Sequence, residues 1–187
     1  DFLELGELMC LDALERRGLL DRTIVNTLPR RHMTPEQPRR SPKWQQVVNT
    51  VDWLSTQIAP GTDVQIIGFT DKATWLIPGT EGEWVTVNDG SEFDAPVGAV
   101  RASYPQGPTS LAAAFNALKM LEPKPDNIYL LTDGLPTMGE VTPTRQGVKA
   151  SERLDHFNRA IRQLPVGVPV NTLLFPMEGD PQASPAF

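Results

Sequence analysis

A single cysteine, Cys10, and two histidines, His32 and His156, stand in a chain of 187 residues. One thiol cannot close an internal disulfide or furnish a multi-cysteine zinc centre. With apolar neighbours on both sides, Cys10 reads as a small buried hydrophobe rather than a reactive thiol. The two histidines are far apart in sequence and in polar surroundings, so no catalytic or metal-binding pair is indicated. No apolar run approaches the roughly 18 residues that a membrane span needs. Gly-x-Ser-x-Gly, Gly-x-x-x-x-Gly-Lys and Gly-x-Gly-x-x-Gly are all missing, so no nucleophile elbow, phosphate loop or dinucleotide fingerprint is signalled. Positive charge is short as well: 17 Lys and Arg against 23 Asp and Glu leave a net charge of −6. That balance argues against a nucleic-acid surface. The local group Arg30, Arg31, Arg39, Arg40 and Lys43 reads as a solvated face. No signal peptide is visible. The chain begins with Asp rather than Met and ends at Phe187 after a proline-rich run, as a domain excised from a longer protein would.

What is present, from residue 42 onward, is alternation of helix and strand signals. Pro42 opens a helix that sets Trp44, Val47, Val48, Val51 and Leu54 on one face and ends at Pro60-Gly61. Residues 63–69 read as a strand closed by Thr70-Asp71-Lys72. Residues 73–77 and 83–87, joined through 78–82, read as a β-hairpin at one edge. A short helix is expected over 97–102. A stronger one is expected over 109–121, with Leu111, Phe115, Leu118, Met120 and Leu121 toward the core, stopped by Pro123 and Pro125. Residues 127–131 form the next expected strand, an apolar run buried on both faces. A helix over about 146–164 comes next, carrying Val148, Leu154, Phe157, Ile161 and Leu164. The last strand covers 168–175. The order predicts an α/β fold: an open, doubly wound, mostly parallel sheet with helices on both faces. We expect one domain over 1–187, with a core at 43–175 and an atypical amino-terminal segment and insertion at 1–42. Within that segment, residues 8–13 read either as a buried central strand or as a helix.

Two turns carry the functional signal. Residues 127–131 emerge at Thr132-Asp133-Gly134, and Gly107-Pro108-Thr109-Ser110 opens the preceding helix. A carboxylate just past the carboxyl end of a parallel strand lies where open α/β sheets bind ligands. A carboxylate beside a neutral oxygen suits a hard cation. Plainer readings stand beside these. Thr109 equally serves as a helix N-cap, Asp133-Gly134 as a strand-ending turn, and Asp12 as a solvated helix residue. Asp71 reads as a turn former and Glu140 as a solvated charge.

The Lys43-Trp44 helix, Val64-Gln65-Ile66-Ile67-Gly68-Phe69-Thr70-Asp71, Gly107-Pro108-Thr109-Ser110-Leu111 and Ile128-Tyr129-Leu130-Leu131-Thr132-Asp133-Gly134-Leu135-Pro136, in that order, resemble a von Willebrand factor A-type (vWA) domain over residues 43–175. The stretch from Ile24 to Trp44 is also similar to an insertion in bacterial vWA domains. The resemblance implies a Rossmann-like fold and a metal-ion-dependent adhesion site. There an Asp-x-Ser-x-Ser loop, a threonine and an aspartate surround Mg²⁺, with Mn²⁺ or Ca²⁺ as substitutes, and a partner protein completes the shell with a carboxylate. Thr109 matches the threonine, Asp133 the aspartate and Asp12 the first aspartate. The Asp-x-Ser-x-Ser motif itself is absent, because Leu14 and Arg16 stand where the serines belong.

The implied function is a non-enzymatic protein-interaction domain. The alternatives are a degenerate vWA scaffold binding partners without metal, and a Mg²⁺-dependent hydrolase or phosphotransferase using Asp12 and Asp133. A bacterial cell envelope, periplasm or cytoplasm would each suit such a domain.

Overall fold

The computed structural model describes residues 41–103, 107–141, 148–176 and 180–187. It begins with α1 (Pro42–Ser55), where Ser41 Oγ accepts the Trp44 amide at 3.2 Å and proline occupies the first turn. Proline there sacrifices no hydrogen bond, because the first helical amides lack intrahelical partners. Val48 and Thr50 are buried, and the other apolar residues of the expected face are half-buried.

The expected strand over 63–69 is present but divided into β1 (Asp63–Val64) and β2 (Ile67–Phe69). The side chain of Gln65 explains the break. Its Nε2 donates to Thr80 O at 3.1 Å, Thr80 Oγ1 at 2.9 Å and Glu83 O at 2.8 Å, while its Oε1 accepts the Ile66 amide at 2.9 Å. A side chain thereby takes over bonds that a ladder would otherwise make. The arms of the expected 73–77/83–87 hairpin do not pair with each other. Instead β3 (Ala73–Trp75) folds back antiparallel on β2, and β4 (Val85–Thr86) pairs antiparallel with β1. The hairpin is therefore β2–β3, turned at Thr70–Lys72, where the Thr70 amide donates to Lys72 O at 2.9 Å. A 3₁₀ turn at Ser91–Phe93 leads into α2 (Asp94–Ala102). Val64, Val87, Phe93 and Val97 form a small core here, with Val51, Ile58 and Ile66 against it.

The second half contains α3 (Leu111–Leu118), β5 (Ile128–Thr132), α4 (Ala150–Ile161), β6 (Val170–Leu174) and a four-residue α5 (Ala183–Ala186). Strands β5 and β6 run parallel, from Ile128 opposite Val170 to Thr132 opposite Leu174. Leu111, Phe115, Leu130, Leu135, Phe157 and Ala160 are buried together, and Phe187 meets Phe157 edge-on at 4.8 Å. Three inward assignments are corrected. Met120 is 56% exposed because α3 ends at Leu118 and the chain turns over Gly82. Tyr129 is 57% exposed on a strand expected to be buried on both faces, and Ile161 is 40% exposed at the last turn of α4.

The fold is α/β, but the expected doubly wound, mostly parallel sheet is met only in part. Among the described residues the strands form three two-stranded sheets, and β5–β6 is the parallel one. The stretch 1–40, with Asp12, Cys10, His32 and the arginine group, lies outside the described residues. No described helix is long and apolar enough to cross a membrane.

Candidate functional site

The loops bearing Thr109 and Asp133 are laced together at the carboxyl end of β5. The Thr109 amide donates to Thr137 Oγ1 at 2.8 Å, and the Thr109 carbonyl accepts the amides of Thr137 at 3.0 Å and Met138 at 3.1 Å. Ser110 adds two ties: its hydroxyl donates to Gly139 O at 2.7 Å, and its amide donates to Thr70 O at 2.7 Å. The ends of β2, the turn before α3 and the loop after β5 therefore converge. Gly107, at φ 75°, supplies the left-handed turn that admits Pro108 and aims the chain into α3.

The cap of α3 is Ser110, whose Oγ accepts the Ala113 amide at 3.2 Å, and not Thr109. This corrects the capping role expected of Thr109 and leaves its hydroxyl outside the cap. Thr109 and Asp133 are both half-buried, which suits groups that must be ordered yet reach a ligand.

Asp71 is exposed and accepts the Thr70 hydroxyl at 3.0 Å, as a turn former does. Glu140 is exposed. Asp12 lies outside the described residues, so two of the three expected metal ligands can be placed. Among the described residues no group of three or more His, Cys, Asp or Glu is gathered as a metal would need. A site using Thr109 and Asp133 would rest on mixed oxygen donors, the set that Mg²⁺ accepts alongside retained waters.

The loop from Gly134 to Pro136 is buried, and two residues not singled out from the sequence hold it. The Leu135 amide donates to Asp180 Oδ2 at 2.8 Å, and its carbonyl accepts Arg153 Nε at 3.2 Å and Nη2 at 2.5 Å. Arg153 Nη2 also pairs with Asp180 Oδ2 at 2.7 Å, with the two side chains only 13% and 1% exposed. Arg153 lies on the face of α4 that carries Phe157 and Ala160, so a charge on an apolar face was the available signal. Asp180 comes after a Gly and before a Pro and gave no signal beyond a turn. His156, expected in polar surroundings, instead abuts the loop: a Cβ on Gly139 would lie 3.1 Å from its Nδ1.

An open cleft of about 710 Å³ lies elsewhere, between α1 and α2, over Asp52, Phe93, Asp94, Val97 and Arg101. The ion pair there, Arg101 to Asp52 at 3.5 Å, is more than half exposed on both sides. A pair so placed is worth little.

No protein-family model matches the chain, and no curated protein does. Among solved structures it is similar to a von Willebrand factor type A from Catenulispora acidiphila, with a TM-score of 0.49 and 17% identity. The match covers 74% of this chain and 30% of that one, so this chain spans less than a third of that protein's length.

Proposed function

We propose that this chain is a non-enzymatic interaction domain of vWA type that binds a partner protein at the carboxyl end of β5. The observation that carries the reading is the lacing of the Thr109 and Asp133 loops at the carboxyl end of β5; in this reading the two loops offer a hydroxyl and a carboxylate on one edge. In this reading β5 and β6 belong to a larger doubly wound sheet, and Thr109 and Asp133, with Asp12, would hold Mg²⁺, Mn²⁺ or Ca²⁺. The bound ion would offer an open coordination position to an acidic group of the partner. The chain's own part is to keep the hydroxyl and carboxylate fixed before the ion arrives, so that little ordering remains to be done on binding.

Titration with Mg²⁺ and with Mn²⁺, followed by thermal denaturation, tests the reading. At a hundredfold excess over the dissociation constant the unsubstituted chain should gain about 2.7 kcal/mol, and Thr109→Ala and Asp133→Ala should each abolish the gain. No gain in the unsubstituted chain overturns the metal part. A second reading, partner binding by a degenerate scaffold without metal, is favoured by the missing Asp-x-Ser-x-Ser motif. Its mark is partner capture that survives EDTA.

A further inference from the structure

We propose that Asp180 and Arg153 are positioning residues whose task is to fix the Gly134–Leu135 backbone and, through it, the direction of Asp133. The proposal deepens the interaction-site reading and rests on it only for its metal-dependent part. The geometry is specific to backbone, not to packing. Asp180 Oδ2 takes the Leu135 amide at 2.8 Å, and the Arg153 guanidinium reaches the Leu135 carbonyl and Asp180 Oδ2 together. One peptide unit is thus gripped on its donor and the next on its acceptor, directly after Asp133 in the chain.

Gly134 belongs to the same device. A Cβ there would stand 3.3 Å from Arg153 Nη2 and 2.5 Å from Asp180 Oδ2, the second closer than any side chain tolerates. The missing side chain lets the carboxylate lie against the loop. The Thr132 hydroxyl completes the hold by donating to Gly134 O at 3.0 Å.

Stability alone does not account for the pair. The attraction within a buried ion pair seldom offsets the cost of taking both charges out of water, and here Asp180 Oδ1 has no hydrogen-bond partner among the described residues. An apolar pair of similar volume would serve the core as well or better. What an apolar pair could not do is hold the Leu135 amide and carbonyl. The charged pair therefore stands where a loop must keep one conformation, next to the carboxylate that the interaction-site reading assigns to the ion.

The experiment compares the unsubstituted chain with Asp180→Asn and with the apolar double variant Arg153→Met/Asp180→Leu, which keeps the length of Arg and the branching of Asp. Amide hydrogen exchange is read at Leu135 and at Phe175, whose own amide bonds Thr132 O at 2.8 Å at the same strand end. The double variant should keep its helical circular dichroism and exchange the Leu135 amide about tenfold faster or more, with Phe175 unchanged. Asp180→Asn, which keeps a carbonyl for Leu135 but loses the charge pair, should show a smaller rise at Leu135 alone. It decides the matter should the double variant fail to fold. Where Mn²⁺ stabilises the unsubstituted chain, its half-saturating concentration should rise about 10- to 100-fold in the double variant, the range seen when the supports of metal ligands are removed. Equal exchange changes at Leu135 and Phe175, or none at either, would overturn the positioning role. An unsubstituted chain blind to Mn²⁺ would overturn only the metal reading, and the exchange result would still decide this one.

Discussion

The two halves of the described chain hold their loops in different ways. In the region around β1–β4 and α2, exposed or half-buried side chains share the holding with backbone bonds. Gln65 spans to Thr80 and Glu83, and Glu92 accepts from the Asn88 amide at 3.1 Å, Asn88 Nδ2 at 2.8 Å and the Gly90 amide at 3.1 Å. Its strands are short, antiparallel and close in sequence. In the region around β5, β6, α3 and α4, the bonds that fix the loops come from backbone groups and from buried or half-buried side chains. They join segments far apart in the chain, Thr109 to Thr137 and Leu135 to Asp180 among them. Bonds made to water-accessible side chains are easily exchanged for bonds to solvent, whereas a buried group left without its partner incurs the full desolvation penalty. The second arrangement is the stiffer one, and it surrounds the candidate site.

The contrast can be broken most strongly in the larger core. Phe115→Ala should cost about 3–5 kcal/mol in urea denaturation, since Phe115 is 1% exposed at the centre of the second region. Val87→Ala in the smaller core removes fewer methylenes and should cost roughly 1.5–2 kcal/mol. A larger loss for Val87→Ala would reverse the ranking of the two regions. Next comes Gly134→Ala, which forces a methyl against Asp180 and should cost about 1–3 kcal/mol in thermal denaturation, together with the response to Mn²⁺. Third, Ser110→Ala should cost about 1–2 kcal/mol through loss of the α3 cap and the Gly139 tie. Thr109→Ala should cost less than about 0.5 kcal/mol while removing the metal response. Equal costs at positions 109 and 110 would return the capping role to both.

The smallest expected effect lies in the first region and is sharpened by pH. Hydrogen bonds, first from its own backbone amide and then from Asn88 and Gly90, hold the Glu92 carboxyl below its ordinary value. A carboxyl depressed in the folded state contributes stability that is present above the unfolded pKa. That stability is lost as pH falls through the folded one. Glu92→Gln should therefore lower stability slightly in the neutral region, leave the acid region nearly unchanged, and so flatten the acid limb of the stability curve. Acid titration of the melting temperature reads the difference. Asp89, lowered chiefly by hydrogen bonds from Ser91, adds a second small component of the same sign.

The parts of this fold legible in the sequence were those written in local pattern. Pro42 announced α1, the 3.6-residue spacing placed Phe115 and Phe157 in the core, and apolar runs bounded by turn residues located β5 and β6. The joining of the loops that carry Thr109 and Asp133 was foreshadowed by two turns of the right kind. Pairing between strands was not: Gln65 sits within an apolar run, and nothing local says that its amide will replace the ladder. Nor did the sequence distinguish Thr109 from Ser110 as the cap, because both side chains can accept the same amide and only the backbone path chooses. Arg153 and Asp180 escaped for a related reason. Their meaning comes from a contact across 27 residues, which leaves no mark on the periodicity of either segment.

The carboxyl-terminal residues have a practical consequence for anyone shortening the chain. By secondary structure the natural place to cut is just after β6, since among the described residues beyond it only the four of α5 are helical. Such a cut would remove Phe187 from the edge of Phe157, delete the buried Ala183 and strip Asp180 from the Leu135 amide in one stroke. The truncated product would keep every long helix and both parallel strands, and so would look intact by circular dichroism. Its Asp133 turn would nonetheless have lost the Asp180 tie, and a negative binding result obtained with it would say nothing about the longer chain.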